Sequence, residues 1–462
     1  MTTQHPPGPR GNLFLGIMRE YNRSNRLEYL TTLKDTYGDT VRARFGPFYV
    51  YMVYHPDDVH EILVRQAAKF YKPRQTKLIF NRFLGNGLIV SDGDFWRRQR
   101  KLAQPAFHAR RIESYAQTMV DYTLRMLDSW RDGQTRDIDQ EMMMLTMSIV
   151  AKTLFDADVS GDAEEIGRAM TVIQQVANEQ FNSLLPPLPE WLPTRQNRRE
   201  QQAVKTLDTV IGRIIGQRRA SGEDKGDLLS MLLLAQGEQG ERMTDQQVRD
   251  EAMTLFLAGH ETTSNALTWT WYLLSQHPEA EAKLHDELAI VLGERAPALH
   301  DLGQLKYTEM VIKESMRLYP PAWGLSREPV EDVQIGSYTL EKGKPVFIMP
   351  YVQHRDGRWF DEPERFLPER WAEGYEERLP KYAYMPFGGG PRVCIGNSFA
   401  MMEARLLLAT IAQHYRLALK PGYPVEPEPL ITLRVKGGLP MMLHARETAK
   451  AARREIEKAA SA

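Results

Sequence analysis

Apolar residues recur every three to four positions over several long stretches of the chain, the spacing of helices with one buried face. Thr244-Asp245-Gln246-Gln247 is typical of a capping box and predicts the start of a long helix, which His277-Pro278 ends. Other stretches with helical spacing are 163–181, 194–219, 302–318 and the run after Asn397. Helices therefore make up most of the elements that the pattern predicts.

Alternation of apolar and polar residues, the pattern of strands, is confined to short stretches. Val41, Ala43 and Phe45 alternate before a Gly-Pro turn, and residues 49–53 return, which predicts a hairpin. Pro56 opens a helix, and residues 346–351 read as extended. Two end segments complete the pattern: a stiff proline-rich leader over 1–12 and a charged amphipathic helix over 447–462.

A basic helix is predicted over residues 94–107. Trp96 and Arg100 are one turn apart and share a face. Arg97, Arg98 and Lys101 then lie on the exposed side, where a solvated charged face is the ordinary interpretation.

Composition narrows the classes of protein. The 462 residues contain one cysteine, so no disulfide framework forms and a reducing cytoplasm fits. A formal net charge of −1 gives no general attraction to nucleic acid. The apolar stretch 252–274 carries His260, Glu261 and Asn265, which are costly in lipid, so it reads as a buried helix and not a membrane anchor.

The single cysteine, Cys394, lies between a glycine-rich loop and a predicted helix. The helix N-terminus and nearby Arg392 are expected to lower the pKa of the thiol and favour the metal-binding thiolate. Without a second cysteine or a histidine in the loop, neither a disulfide nor a tetrahedral zinc site forms there. A metal held by one thiolate takes its other ligands from a macrocycle, which indicates haem. The plainer alternative is a small buried apolar side chain.

These residues resemble a known family. Phe387, Gly390, Arg392, Cys394 and Gly396 fill the pattern F-x-x-G-x-R-x-C-x-G, which is similar to the haem-ligand signature of cytochrome P450 mono-oxygenases. Four further motifs of that family are also matched, in order: Trp96 with Arg100, Ala258-Gly259-His260-Glu261-Thr262-Thr263, Glu314 with Arg317, and Pro368-Glu369-Arg370-Trp371, where Trp replaces the usual Phe.

The resemblance implies a fold and a cofactor. The fold is mainly α with small β-sheets (α+β), a single haem domain over 1–462 with no fused reductase domain. Haem b lies between the long central helix and the cysteine loop, with Cys394 as the iron ligand. The other cofactor-binding residues that it implies are Trp96, Arg100, Ala258, Arg327, Phe387, Arg392 and Gly396.

The resemblance also implies roles in the reaction. Thr262 contacts dioxygen and Glu261 supplies protons through water, while Glu314, Arg317 and Arg370 form a structural triad that braces the cysteine loop. The substrate is an apolar fatty acid, terpenoid or steroid-like compound, with fatty-acid hydroxylases as the most similar branches. Its pocket is lined by Leu255, Ala258, Ala322, Trp323, Leu325, Thr432 and Leu433.

The resemblance also implies partners. Two electrons come from a separate ferredoxin or flavodoxin-type donor with its reductase, which docks near Arg97, Arg98 and Lys101. We expect a cytoplasmic monomer that binds no nucleic acid. Two alternatives stay open: a haem-binding sensor or carrier, and a hydroxylase driven by peroxide. A zinc-protease H-E-x-x-H pattern fails, because Ser264 stands where the second histidine belongs.

Overall fold

The computed structural model describes residues 5–12, 14–159, 161–183, 186–234 and 242–446. The helix predicted over 447–462 and the first four residues of the predicted leader lie outside this part. Within it, no helix is both long enough and apolar enough to cross a membrane.

Helices are the main elements of the described chain. They are α1 (Met18–Arg23), α2 (Arg26–Tyr37), α3 (Pro56–His60), α4 (Arg74–Leu84), α5 (Gly93–Ala103), α6 (Ala109–Asp128), α7 (Ile138–Phe155), α8 (Ala163–Phe181), α9 (Arg195–Ser221), α10 (Leu228–Leu234), α11 (Asp245–Gln276), α12 (Pro278–Val291), α13 (Lys306–Leu318), α14 (Pro350–Gln353), α15 (Tyr375–Arg378) and α16 (Asn397–His414). A π-helical turn, Glu61–Arg65, continues α3.

The strands form small sheets. They are β1 (Thr40–Phe45), β2 (Phe48–Val53), β3 (Phe70–Tyr71), β4 (Thr135–Asp137), β5 (Leu325–Pro329), β6 (Val333–Ile335), β7 (Tyr338–Leu340), β8 (Val346–Ile348), β9 (Tyr415–Leu419), β10 (Pro427–Pro429), β11 (Leu433–Val435) and β12 (Pro440–Ala445). The largest sheet has the order β1-β2-β8-β5-β3, and the smaller ones are β4-β12-β9, β10-β11 and β6-β7. The predicted mainly helical architecture with small sheets is confirmed.

The long helix α11 runs through the middle of the helical part. The predicted capping box is present: the Thr244 hydroxyl accepts from the Gln247 N–H, and the Gln247 side chain accepts from the Thr244 N–H. His277 is the C-cap, as predicted. Helix α11 packs against α7, α9, α13 and α16. At the crossing with α7, a Cβ on Gly259 would lie 3.1 Å from a methyl of Val150, so the glycine permits this close approach.

Proline decides several boundaries that periodicity alone misplaces. The basic helix α5 ends at Ala103, earlier than predicted, and Pro105 lies in the 3₁₀ turn that follows. The extended segment predicted over 346–351 ends at Ile348, because Pro350 starts the short helix α14. Helix α13 begins at Lys306 and not at residue 302, since the residues before it form turns. The hairpin β1–β2 and helices α8, α9 and α16 agree with the prediction.

The large sheet is buried on both faces. Tyr51 and Val53 belong to one apolar cluster, whereas Val50 and Met52 belong to another on the opposite face. The first cluster includes Leu63 and Met385, so it reaches the segment that leads to Cys394. The sheet therefore packs against the segment that leads to the cysteine loop.

Candidate active site

The cysteine loop is closed by its own backbone. The Cys394 N–H donates to the Phe387 carbonyl at 3.0 Å, and the Val393 N–H donates to the Gly390 carbonyl at 3.0 Å. Helix α16 begins three residues after the cysteine, at Asn397, as predicted. The loop thus holds the thiol in front of a helix N-terminus.

Two glycines let other segments approach the loop. Gly390 has a φ of +65°, and a Cβ there would lie 1.8 Å from the Leu63 carbonyl oxygen. At Gly389 a Cβ would lie 2.0 Å from the Tyr382 ring, whose hydroxyl accepts from the Gly390 N–H at 3.2 Å. Neither position has room for a side chain, so the glycine-rich composition is needed for the loop to pack.

The electrostatics of Cys394 differ from the prediction. Solvent reaches its side chain, yet the thiol is surrounded by protein, and burial raises its pKa. The Gly396 N–H and the Arg100 guanidinium oppose this rise. The expectation of a lowered pKa assisted by Arg392 is therefore wrong for the protein as described. Burial outweighs the helix terminus, and Arg392 is engaged elsewhere.

Helix α5 turns its predicted haem-facing residues inward. Trp96 is buried, and Arg100 donates to the Val393 carbonyl at 2.7 Å, one residue before the cysteine. Arg97, Arg98 and Lys101 are exposed on the other side. The shared face predicted for Trp96 and Arg100 is present.

Buried and partly buried cations gather around a single carboxylate, Asp92, at the start of this helix. Arg392 pairs with Asp92 and lies 4.1 Å from the centroid of the Trp96 ring. Lys77 lies 2.6 Å from Asp92. Burial and the neighbouring cation Arg392 lower the pKa of Arg327 to about 10.

Lys72 is a member of this cation cluster that sequence reasoning missed. Burial, together with Arg327 and Arg392, lowers the pKa of Lys72 to about 7. The only feature of the sequence that marks Lys72 is its position before Pro73 and after the short strand β3. Positive charge thus exceeds negative charge around Asp92, and a group with two carboxylates fits such a surplus.

One face of α11 is accessible in the middle of an otherwise buried helix. Ala258, Gly259 and Thr262 are partly accessible, whereas the residues from Ala252 to Leu257 and from Thr263 to Trp271 are buried. The Thr262 hydroxyl donates to the Ala258 carbonyl at 3.0 Å. A small-residue face on α11 and an accessible thiol before α16 are both features that a flat macrocycle could contact.

Glu261 points to a different set of partners from Thr262. Its carboxylate accepts from the Thr432 hydroxyl at 2.5 Å, and that hydroxyl accepts from the Asn265 amide at 3.0 Å. Burial raises the pKa of Glu261, while Arg434, Thr432 and Gln174 oppose the rise. The structure therefore does not bring the predicted acid and alcohol into contact.

The predicted pocket segments meet at one place. The Leu433 N–H donates to the Pro321 carbonyl at 3.0 Å, and the Trp323 indole donates to the Leu430 carbonyl at 2.9 Å. Leu255 is buried in the main core, while Ala322 and Leu325 are partly accessible. The turn 430–433 thereby joins the segment 321–325 to α11.

Three of the predicted pocket residues have other contacts. Leu433 is fully buried, so it has no surface with which to line a pocket in this conformation. Thr432 is occupied by Glu261 and Asn265. Trp323 packs against the apolar cluster of the large sheet that contains Met52.

The predicted triad is brought together and fully buried at its centre. Arg317 donates twice to Glu314, at 2.9 Å each, and Arg370 donates to Glu314 at 3.1 Å. The indole of Trp371 adds a third donor at 2.8 Å, so the Trp in place of Phe extends the network. Arg365, from the earlier Pro-Glu-Arg-Phe sequence, pairs with Glu362 instead.

The triad reaches the cysteine loop through His354. Arg317 donates to the His354 carbonyl at 2.9 Å, and His354 Nε2 accepts from the Met385 N–H at 3.0 Å. Burial lowers the pKa of His354 to about 3, so the ring is neutral and can accept. The start of the loop is thus tied to α13.

Comparison with known proteins agrees with this geometry. The cytochrome P450 family model matches residues 6–438. The chain is 40% identical over 410 residues to cyclooctatin synthase of Streptomyces melanosporofaciens, covering 88% of this chain and 89% of that protein. It is 37% identical over 404 residues to cyclooctat-9-en-7-ol 5-monooxygenase of the same organism (86% of each). Pentalenene oxygenase of Streptomyces avermitilis is 32% identical over 427 residues, covering 91% and 93%.

The chain belongs to the cytochrome P450 family. It is a haem-thiolate mono-oxygenase of apolar substrates, and mono-oxygenases of this family use dioxygen and electrons from a partner protein. The alternative of a haem-binding sensor or carrier is set aside, because the relatives are named as a mono-oxygenase and an oxygenase.

Proposed function

We propose that this protein hydroxylates a compact, non-acidic apolar compound at a haem b whose iron is bound by the Cys394 thiolate. The observation that carries the proposal is the accessible Cys394 thiol, held in a closed loop before α16, together with the accessible small-residue face of α11. When bound, the haem supplies activation of dioxygen. The chain supplies its ligand, its charge neutralisation and the proton.

The cation cluster is suited to hold the cofactor's two carboxylates. Lys72, Lys77, Arg327 and Arg392 surround Asp92, so positive charge is in excess there, and the two carboxylates of the cofactor would reduce that excess. Trp96 and Arg100 would complete the clamp from α5, while Phe387 and Gly396 on the loop and Ala258 on α11 would contact the cofactor. Glu314, Arg317 and Arg370 serve structure and not chemistry.

Replacing Thr262 by Ala should uncouple electron consumption from product formation. The hydroxyl is partly accessible and is the polar group on the exposed face of α11, so its loss removes the group that places a proton near dioxygen. We expect the share of electrons that ends in product to fall by roughly an order of magnitude, with hydrogen peroxide released instead. Product and peroxide measured per electron pair give the result.

The matched control is Thr262→Ser, which keeps the hydroxyl and should keep most of the coupling. Unchanged product yield in Thr262→Ala would contradict the role. If added peroxide alone gave wild-type yields, the peroxide-driven alternative would be favoured.

The substrate is proposed to be a terpenoid-like hydrocarbon or alcohol in preference to a fatty acid. Two relatives carry names that denote an unsaturated hydrocarbon and an unsaturated alcohol, pentalenene and cyclooctat-9-en-7-ol. The hairpin cation Arg42, a candidate carboxylate anchor, lies 2.9 Å from Glu341 and is neutralised by it. Tyr51 donates to the same carboxylate at 2.8 Å. A fatty-acid carboxylate therefore has no free partner at this pair.

A binding screen tests this preference. Cyclic terpene hydrocarbons, their alcohols, steroids and long-chain fatty acids are titrated into the ferric holoprotein, and the haem spin-state change is read by difference spectroscopy. We expect the cyclic hydrocarbons and alcohols to produce the shift and to be hydroxylated when electrons are supplied. A response confined to fatty acids would overturn the substrate class but not the enzyme class.

The electron donor is proposed to be a separate ferredoxin or flavodoxin-type protein in the cytoplasm. Arg97, Arg98 and Lys101 are exposed on α5, whose inward residue Arg100 contacts the cysteine loop. An acidic donor docked on this face would be close to the cofactor. The mono-oxygenase itself is proposed to act as a monomer.

A further inference from the structure

We propose that Tyr382 is a positioning residue for the Cys394 thiol: its ring and hydroxyl hold the glycine turn of the cysteine loop and so fix where the sulfur lies before α16. This inference rests on the proposed function, in which that sulfur binds the iron. Tyr382 lies before the cysteine motif, which begins at Phe387, and belongs to none of the motifs that carry the family resemblance.

The backbone of Tyr382 has an unusual conformation for a residue that carries a side chain. The Ala383 N–H donates to the Pro380 carbonyl at 2.9 Å, which closes a turn with Tyr382 as its third residue. The φ of Tyr382 is +70°, and a positive φ at this position of a turn is typical of glycine or asparagine. The buried Gln353 amide donates to the Tyr382 carbonyl at 2.8 Å and holds this conformation. Since a glycine would suit the backbone better, the side chain is the part that calls for a function.

The Tyr382 side chain contacts the glycines of the cysteine loop. Its hydroxyl accepts from the Gly390 N–H at 3.2 Å. Its ring occupies the space that a Cβ on Gly389 would need, because that Cβ would lie 2.0 Å from a ring carbon. His60, the last residue of α3, stacks on the same ring, with centroids 5.4 Å apart and planes 20° apart. The ring thus joins α3 to the loop.

Hydrogen bonds connect this turn to the cysteine. The Gly390 carbonyl accepts from the Val393 N–H at 3.0 Å, and the Val393 carbonyl accepts from the Arg100 guanidinium at 2.7 Å. Val393 directly precedes Cys394, so the residue next to the thiol is held by Gly390 on one side and by α5 on the other. Loss of the Tyr382 hydroxyl would take from the Gly390 N–H its acceptor and loosen the first of these links.

The Soret band of the reduced carbon monoxide complex tests the proposal in the holoprotein. Tyr382→Phe keeps the ring and removes the hydroxyl, so the band should leave the position typical of thiolate-bound haem about five times faster than in the wild type, the factor expected for one hydrogen bond. Tyr382→Gly suits the backbone but removes both ring and hydroxyl, so the change should be faster still. A wild-type rate in Tyr382→Gly would overturn the proposal, because the position would then be only a turn. An unchanged rate in Tyr382→Phe would overturn it as well.

Tyr384→Phe is the matched control. Tyr384 is partly buried, as Tyr382 is, but its hydroxyl donates to the Lys313 carbonyl of α13 at 3.0 Å. Its removal should lower the stability against urea by an amount similar to that of Tyr382→Phe and leave the rate of the band change at the wild-type value. An equal acceleration in Tyr384→Phe would contradict the assignment to Tyr382, since the loss of either hydroxyl would then have the same effect.

Alkylation of the thiol is a second readout and needs no cofactor. Cys394 is the single cysteine, so iodoacetamide labels one thiol in the full chain before haem is added. A looser loop exposes the sulfur more often, so Tyr382→Phe should be alkylated faster than the wild type, and Tyr384→Phe at the wild-type rate. If the wild type with haem has no thiolate-type band, the proposed function fails while the alkylation rates still report on the loop. If the band is present and neither rate responds to Tyr382→Phe, this inference alone is wrong.

Discussion

Replacing Cys394 by Ala is expected to abolish product formation, the largest effect of any single substitution in this chain. The thiolate is the proposed iron ligand, and no other protein ligand stands beside it in the loop. The backbone bonds that close the loop do not use the side chain, so the variant should fold. After reduction under carbon monoxide, its Soret band should lose the position typical of thiolate-bound haem.

The control for this substitution is Ile395→Val, a small change at the adjacent residue that should keep both the band and turnover. Cys394→Ser separates a missing ligand from a missing side chain, and it too should lose turnover. Pigment and activity that survive in a folded Cys394→Ala protein would remove the basis for the haem-thiolate assignment at this position.

Replacing Glu314 by Gln is expected to destabilise the protein more than any other isosteric change considered. This carboxylate accepts from Arg317, Arg370, Trp371 and the Leu367 N–H, all buried or partly buried. An amide cannot balance two guanidinium groups, so buried charge is left uncompensated at a cost of about 3–5 kcal/mol. Urea unfolding of wild type and variant measures the difference in free energy.

Glu164→Gln provides the comparison, because Glu164 pairs with Arg168 at 2.8 Å with both side chains largely exposed. That change should cost no more than about 1 kcal/mol. If Glu314→Gln unfolded at the same urea concentration as Glu164→Gln, the buried network would not be bracing the loop.

Local chemistry was sufficient to predict much of the fold. The capping box at Thr244 and the apolar spacing after Asn397 depend on neighbours within one or two turns, and both elements are present. Observed and predicted boundaries differ where the periodic pattern runs past a proline, as at Pro105 and Pro350, although a proline is itself a local signal that an element ends or begins.

The site was predictable in its motifs but not in its electrostatics. The pKa of Cys394 is raised by burial, which outweighs the Gly396 N–H and the Arg100 guanidinium, and burial is not readable from the loop sequence. Glu261 meets Thr432, a residue 171 positions away, and nothing near Glu261 indicates that partner. Lys72 joins the cation cluster only because the chain returns to Arg327 and Arg392. Contacts of this kind are a property of the tertiary arrangement.

Arg392 donates to the Ser91 carbonyl at 2.8 Å as well as pairing with Asp92, and these two contacts bear on the order in which the molecule folds. The two partners lie 301 and 300 residues from Arg392, and Gly390 packs on Leu63 from a similarly remote part of the chain. Closing such long loops is slow and entropically costly. During synthesis the first hundred residues emerge long before the cysteine segment. We therefore expect the cysteine loop to fold late, by packing onto Leu63, Ser91 and Asp92 after that part of the chain has formed. A fragment lacking that early portion should be unable to shape the loop, however intact its own motif.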